Sequence, residues 1–92
     1  MEDLLIKKVV AGLKQLYNAA IAPNQVQVQK TRKDFEGDLT VVVFPFLKAS
    51  KKSPEQTAEE LGKYIRENME EVVSFNVVKG FLNFAISPTY WL

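Results

Sequence analysis

Residues 53–86, SPEQTAEELGKYIRENMEEVVSFNVVKGFLNFAI, decide the fold. Ser53 at an N-cap, Pro54 at the first helical position and Gln56 at the third make a capping box that opens a helix. Ala58, Leu61, Ile65 and Met69 then supply its apolar face through about residue 70. Gly62 sits in mid-helix, where glycine costs about 1 kcal/mol relative to alanine. Its missing side chain reads as room for the helix to approach a sheet. Beyond the helix, VVSFNVVKGFLNFAIS reads as two strands meeting near Lys79-Gly80. Side chains alternate along a strand, so Leu82, Phe84 and Ile86 share one face and Phe81, Asn83 and Ala85 the other. The first set is uniformly large and apolar and is predicted to face the core. That leaves Phe81 outward, with Asn83 substantially exposed beside it.

Upstream, residues 3–20 carry Ile6, Val9, Val10, Leu13, Leu16, Tyr17 and Ala20 on one helical stripe. Glu2 and Asp3 suit the N-terminus of that helix, and Pro23-Asn24 stop it. Gln25–Thr31 alternates as a half-buried strand. RKDFEGD (32–38) is a charged turn, and Leu39–Phe44 is a β-branched run ending at Pro45. The order is helix, two strands, helix, two strands. The predicted class is α+β: a four-stranded antiparallel sheet with two main helices on one face, order α-β-β-α-β-β. Residues 1–92 form a single domain on this reading.

Composition removes most chemistry. The 92 residues include no cysteine and no histidine, although 47% are apolar. Thiolate and imidazole nucleophiles, acid–base histidines and Cys- or His-ligated metals are all ruled out. Asp34, Glu36 and Asp38 lack the spacing of an EF-hand, so no metal is expected. No stretch approaches ~20 uninterrupted apolar residues, so no membrane span is expected. Lys7 and Lys8 break the opening apolar run, unlike a cleaved targeting segment. A cytoplasmic location is the expectation.

Net charge is +1, but residues 1–52 carry nine Lys/Arg against five Asp/Glu, while residues 53–92 carry three against six. Such a domain can present one cationic side without being basic overall. The cations cluster as Lys30, Arg32 and Lys33 and as Lys48, Lys51 and Lys52, with Lys79 at the hairpin. An outward aromatic beside an amide can stack one base and read its edge, while loop cations hold flanking phosphates. The candidate RNA-binding residues are therefore Phe81, Asn83, Lys79, Lys30, Arg32, Lys33, Lys48, Lys51 and Lys52. A purely structural alternative has Phe81 packed under a helix or loop, with the cations as solvated surface. KGFLNFAI partly matches the RNP1 strand of the RNA-recognition motif, but that motif opens with a strand and carries RNP1 on its third. A free-standing RNA-binding module, or a protein-interaction or assembly domain, are the competing functional classes.

FEGDLTVVVFPFLKASKKSPEQTAEEL, followed about twenty residues later by KGFLNFAIS, resembles the N-terminal additional domain of arginyl-tRNA synthetase. The shared features are Gly37-Asp38 before an apolar run, the loop Lys48 to Lys52, Pro54 with Ala58-Glu59-Glu60, and Gly80-Phe81-Leu82-Asn83-Phe84. Where many members continue from Gly-Asp into an alanine-rich helix, TVVVFPF reads here as strand and turn. The resemblance implies a domain without chemistry that contacts the D-loop at the outer corner of the tRNA for arginine. It implies Phe81 and Asn83 as the base-contacting pair. It further implies a catalytic domain beyond Leu92 in the same polypeptide, using ATP and Mg in an arginine–tRNA ligase, with no cofactor for this domain. The domain boundary is expected near Tyr90-Trp91.

Overall fold

In the structure, a computed structural model, residues 1–88 are described; the expected boundary near Tyr90-Trp91 lies outside them. The first helix, α1, spans Glu2–Tyr17, with Glu2 and Asp3 in its first turn. It ends three residues earlier than the sequence suggests, because Asn18 turns left-handed (φ 54°), its N–H returning to the Lys14 carbonyl and the Ala19 N–H to the Leu13 carbonyl. Asparagine is one of the few residues that tolerate this conformation. The buried stripe is also rotated from expectation: Leu5, Val9, Gly12 and Leu13 are buried, while Leu16 is exposed.

Strand β1 is only Val28–Lys30, preceded by a 3-10 turn at Pro23–Gln25 that the alternation of Val26 and Val28 does not reveal. Strand β2 is Leu39–Val42. Instead of continuing to Phe44, the chain coils into a 3-10 turn, Phe44–Phe46, and a one-turn helix, α2, Leu47–Ser50. The second long helix, α3, is Pro54–Asn68; of the predicted capping box the serine half is present, Ser53 Oγ accepting the Gln56 N–H. Strands β3, Val72–Val78, and β4, Phe81–Ile86, form the closing hairpin. Both turn residues have positive φ, Lys79 at 50° and Gly80 at 83°, the geometry that matches the twist of a two-residue hairpin.

The four strands form one antiparallel sheet in the order β1-β2-β4-β3. The predicted α+β class with two main helices therefore holds, with α2 as a small addition. Leu82, Phe84 and Ile86 are buried as expected. They meet Leu39 and Val41 of β2 and Leu61 and Ile65 of α3 in a single core, which Leu5, Val9 and Leu13 of α1 complete. A bulge between Val72 and Ser74 leaves Val73 exposed on the β3 edge.

Gly62 performs the packing role its position suggests. A Cβ there would lie 2.5 Å from Cδ2 and 2.9 Å from Cγ of Phe75. The Phe75 ring is itself held, tilted against Phe84 at 6.5 Å between centroids and covered by the Arg66 guanidinium at 5.6 Å. Two effects then compete in Gly62→Ala: about 1 kcal/mol gained in helix propensity against about 1–3 kcal/mol lost to overpacking. Because all three contacted ring atoms could clear a Cβ only if the ring gave up its packing against Phe84 and Arg66, overpacking wins. Thermal denaturation of Gly62→Ala is expected to show a lowered midpoint; an unchanged or raised midpoint would show that α3 does not rest on Phe75.

Candidate nucleic-acid interface

The face of the sheet away from the helices is built in rows. Register sets Val42, Phe81 and Val78 side by side at the hairpin end. The next row is Gln29, Thr40, Asn83 and Asn76. The first row is apolar and half-buried, and the second is polar.

The polar row is not open. Asn83 is fully buried, which corrects the expectation that it is exposed. Strand alternation placed it on the correct face, but the segment between β1 and β2 folds over that face. Gly37 rests on Asn83 so closely that a Cβ on Gly37 would stand 3.2 Å from the Asn83 Cβ. The amide is also fully engaged in a directional chain. Thr40 Oγ1 donates to Asn83 Oδ1 at 2.6 Å, and Asn83 Nδ2 donates to Asn76 Oδ1 at 3.0 Å. Asn76 Nδ2 in turn donates to the Glu36 carbonyl at 2.7 Å. That carbonyl can only accept, so it fixes the orientation of both amides. Thr40 and Thr31 hydroxyls lie 2.9 Å apart; since Thr40 gives its one proton to Asn83, Thr31 is the donor to Thr40. The chain of bonds thus runs across three strands and stitches both ends of the covering segment to the sheet.

Asp38 completes the attachment. Its Oδ2 accepts the Ile86 N–H and its own N–H reaches the Phe84 carbonyl, both at 2.7 Å. These bonds continue the ladder of β4 past the end of β2.

The apolar row is where aromatic surface appears. Phe81 is half-buried, and the Arg32 guanidinium lies over its ring, 5.9 Å from the centroid. Phe44 stands beside it, ring centroids 6.1 Å apart and planes at 84°. Sequence reasoning missed Phe44 by extending β2 through it. The usable signal was spacing: Val43, Phe46 and Ser50 are buried, whereas Phe44, Lys48 and Lys51 are exposed, an amphipathic helical pattern over 43–51.

Of the predicted cations, Arg32 is brought to the Phe81 ring, Lys79 is exposed in the hairpin turn two residues before it, and Lys48 and Lys51 are exposed in the run that begins at Phe44. Lys30 is exposed on the edge strand β1, opposite Leu39, and Lys33 follows Arg32 in the covering segment. Lys52 is committed elsewhere. Its Nζ pairs with Glu60 at 2.6 Å and lies 5.7 Å from the Tyr17 ring centroid. The Lys52 bond, and then the Tyr17 hydroxyl at 2.6 Å, hold the Glu60 carboxyl below its ordinary range. Burial, reinforced by the bond to Glu60, pushes the Tyr17 hydroxyl upward.

Comparison with known proteins gives the fold a family. Residues 3–86 match the family described as the arginyl tRNA synthetase N terminal domain. The chain belongs to this family. The whole chain is 54% identical to part of an arginine–tRNA ligase of Bacteroides fragilis, and 88 of its residues are 48% identical to part of one from Porphyromonas gingivalis. A solved structure of Thermus thermophilus arginyl-tRNA synthetase superposes with a TM-score of 0.78 at 26% identity, over 95% of this chain and 14% of that one. The chain spans about 15% of the length of the curated ligases it matches, their N-terminal part and not the catalytic domain.

Within an arginyl-tRNA synthetase N-terminal domain of this shape, Gly37-Asp38 and Asn83 are parts of one structural unit. Gly37 allows the covering segment to reach Asn83, Asp38 anchors it to β4, and the amide of Asn83 holds it down. Among the described residues no helix is long and apolar enough to cross a membrane.

Asn83→Ala removes the middle of the bond chain and strands Thr40 and Asn76. Each buried polar group left unpaired costs about 1–3 kcal/mol, so this variant is expected to lose stability, in contrast to a surface position. Asn83→Asp is expected to be worse at neutral pH, since a carboxylate cannot donate to Asn76 Oδ1 and would carry a buried charge. Chemical denaturation of both variants measures this; wild-type midpoints would mean that the segment does not depend on Asn83.

Proposed function

We propose that this chain is the tRNA-binding N-terminal domain of a full-length arginine–tRNA ligase and contacts the D-loop at the outer corner of the tRNA for arginine. Attachment of arginine, with ATP and Mg, belongs to the catalytic domain of the same polypeptide, and this domain takes no cofactor of its own. The observation that carries the reading is the Arg32 guanidinium over Phe81 on the open side of the sheet, at 5.9 Å. Single-stranded RNA is recognised by aromatic faces on which unstacked bases lie, with cations positioned for the phosphates. The loops of a tRNA offer such bases, and an aromatic ring paired with a guanidinium suits both needs.

Asn83 serves this site indirectly on this reading. By holding the covering segment it keeps Arg32 over Phe81, whereas direct reading of a base edge would require the segment to lift. Lys79 and Lys33 supply further positive charge near Phe81 and Arg32, and Lys30 extends it along the β1 edge. With net charge +1 and few phosphate contacts, affinity of the isolated domain is weak and salt-sensitive. In the ligase, the other domains capture the tRNA first, and this contact then acts at high effective concentration.

Aminoacylation by the full-length ligase tests the reading. Phe81→Ala should remove about 1–3 kcal/mol of stacking, seen as lower kcat/KM for the arginine tRNA. Little further loss should appear on a tRNA altered at the contacted D-loop base. If Phe81→Ala and Arg32→Ala both leave kcat/KM unchanged for either tRNA while the fold is intact, this surface does not bind tRNA.

A further inference from the structure

Phe44 has no role in the reading above, yet it is the more open of the two rings. It is 47% exposed, whereas Phe81 is half-buried and carries Arg32 over its ring. Its position is firmly set. The ring tip lies where a Cβ on Gly80 would be, 2.8 Å away, with Pro54 on the same spot at 3.1 Å. A large aromatic held by the backbone at one end and open at the other is pre-organised for a contact.

Its surroundings favour an anion-bearing partner. From Leu39 to Pro54 there is no acidic residue, and Lys48 and Lys51 fall four and seven positions after Phe44. Phe44, Lys48 and Lys51, at the start, middle and end of the coiled run, are all exposed, whereas Phe46 and Ser50 between them are buried. Lys51 closes the run in the left-handed conformation, φ 58°, where its N–H returns to the Leu47 carbonyl. No carboxylate pairs with either lysine among the described residues, in contrast to Lys52, which Glu60 holds. A ring followed by two unpaired cations at helical spacing is a surface for a nucleotide and its flanking phosphates.

We propose that Phe44, Lys48 and Lys51 form a second nucleotide position next to Phe81. Phe44 stacks on an unpaired base of the tRNA, and the two lysines take the phosphates that flank it. The perpendicular rings of Phe44 and Phe81, 6.1 Å apart, make a corner at which the strand changes direction between two successive contacts. The inference rests on the tRNA-binding reading and extends it to residues that the closing-strand motif does not contain.

Kinetics of the full-length ligase separate this position from the one at Phe81. Phe44→Leu keeps apolar cover over Gly80 and Pro54 but removes the aromatic face. It is expected to lower kcat/KM for tRNA by about tenfold, the scale of one lost base stack. KM for ATP and for arginine should not move. Phe44→Trp, which retains a stacking face, should restore wild-type tRNA kinetics. Replacing Lys48 and Lys51 together by Gln should reduce the salt dependence of tRNA binding, log K against log salt, by about 1.4 in slope. Wild-type tRNA kinetics in Phe44→Leu, with Phe81→Ala impaired, would overturn this proposal and leave the tRNA-binding reading standing. Wild-type kinetics in both would overturn both. Equal losses in Phe44→Leu and Phe44→Trp, with a lowered unfolding midpoint, would reduce Phe44 to a cover for the hairpin and overturn the proposal. So would unchanged tRNA kinetics combined with an altered oligomeric state, which would assign the patch to a protein interface.

Discussion

Strand β4 is an inner strand of the sheet, buried on its helix face and covered at Asn83 on the other, and that second, local closure shapes the open side of the molecule. On the helix side Leu82, Phe84 and Ile86 are buried by hydrophobic contact, which any well-packed neighbour could supply. On the other side Asn83 is buried by polar contact, which demands particular partners. An amide without water must find donors and acceptors or forfeit about 1–3 kcal/mol for each group left unpaired. The need is met by residues far apart in sequence: Thr31, Thr40, Asn76 and the Glu36 carbonyl. Gly37 and Asp38 then follow as consequences, one leaving space above the amide and the other finishing the strand ladder. Because the chain of bonds has a direction set by one carbonyl, it admits a single arrangement. It turns a mobile-looking charged turn into a fixed platform from which Arg32 reaches Phe81.

The same two-sidedness organises charge. Helix α3 carries Glu55, Glu59 and Glu67 on exposed positions, with Glu70 just beyond it, while Arg32, Lys48, Lys51 and Lys79 belong to the segments around Phe44 and Phe81. A polyanion meets fewer carboxylates around Phe44 and Phe81 than along the exposed face of α3, although Lys7, Lys8 and Lys14 of α1 offset that face in part. The pairing of Lys52 with Glu60 and Tyr17 sharpens the division, since it draws one cation of the loop into the helix side as a fastener between α1, α3 and the turn that joins α2 to α3. An overall charge of +1 conceals this arrangement.

Most of the architecture could be read from the sequence because it is encoded locally. The Ser53 cap, the Lys79-Gly80 turn and the alternation of β4 each depend on a few neighbouring residues, and each stands where the pattern puts it. Boundaries failed where a backbone choice overrode the pattern. Asn18 ended α1 early by turning left-handed, and coiling at Phe44–Phe46 cut β2 short and hid the exposure of Phe44. The burial of Asn83 was not legible for a different reason. Alternation reports which face a side chain takes, never what covers that face. The cover here is a polar loop, with none of the apolar marks of a packing element. A trace did exist: Thr40, Asn76 and Asn83 put a hydroxyl and two amides at outward positions of three strands, an unusual density of groups able to satisfy one another.

If the proposed tRNA contact is made on this surface, magnitudes decide which residues make it. For Asn83 to touch a base, at least one bond of its chain must open and Gly37 must lift away. Opening it leaves buried partners unsatisfied at about 1–3 kcal/mol each. A stacked base returns about 1–3 kcal/mol. The two terms are of equal size, so a contact made by unlocking Asn83 yields little net affinity unless the lifted segment forms new contacts of its own. Phe44 is already open, and Phe81 requires only that the exposed Arg32 side chain shift on its ring, which unpairs no buried hydrogen bond. A contact made through the existing corner keeps its full value, and the buried amide contributes by keeping that corner rigid. On these magnitudes, the residue that looks most like a base reader in the sequence would do more for the proposed recognition by staying hidden.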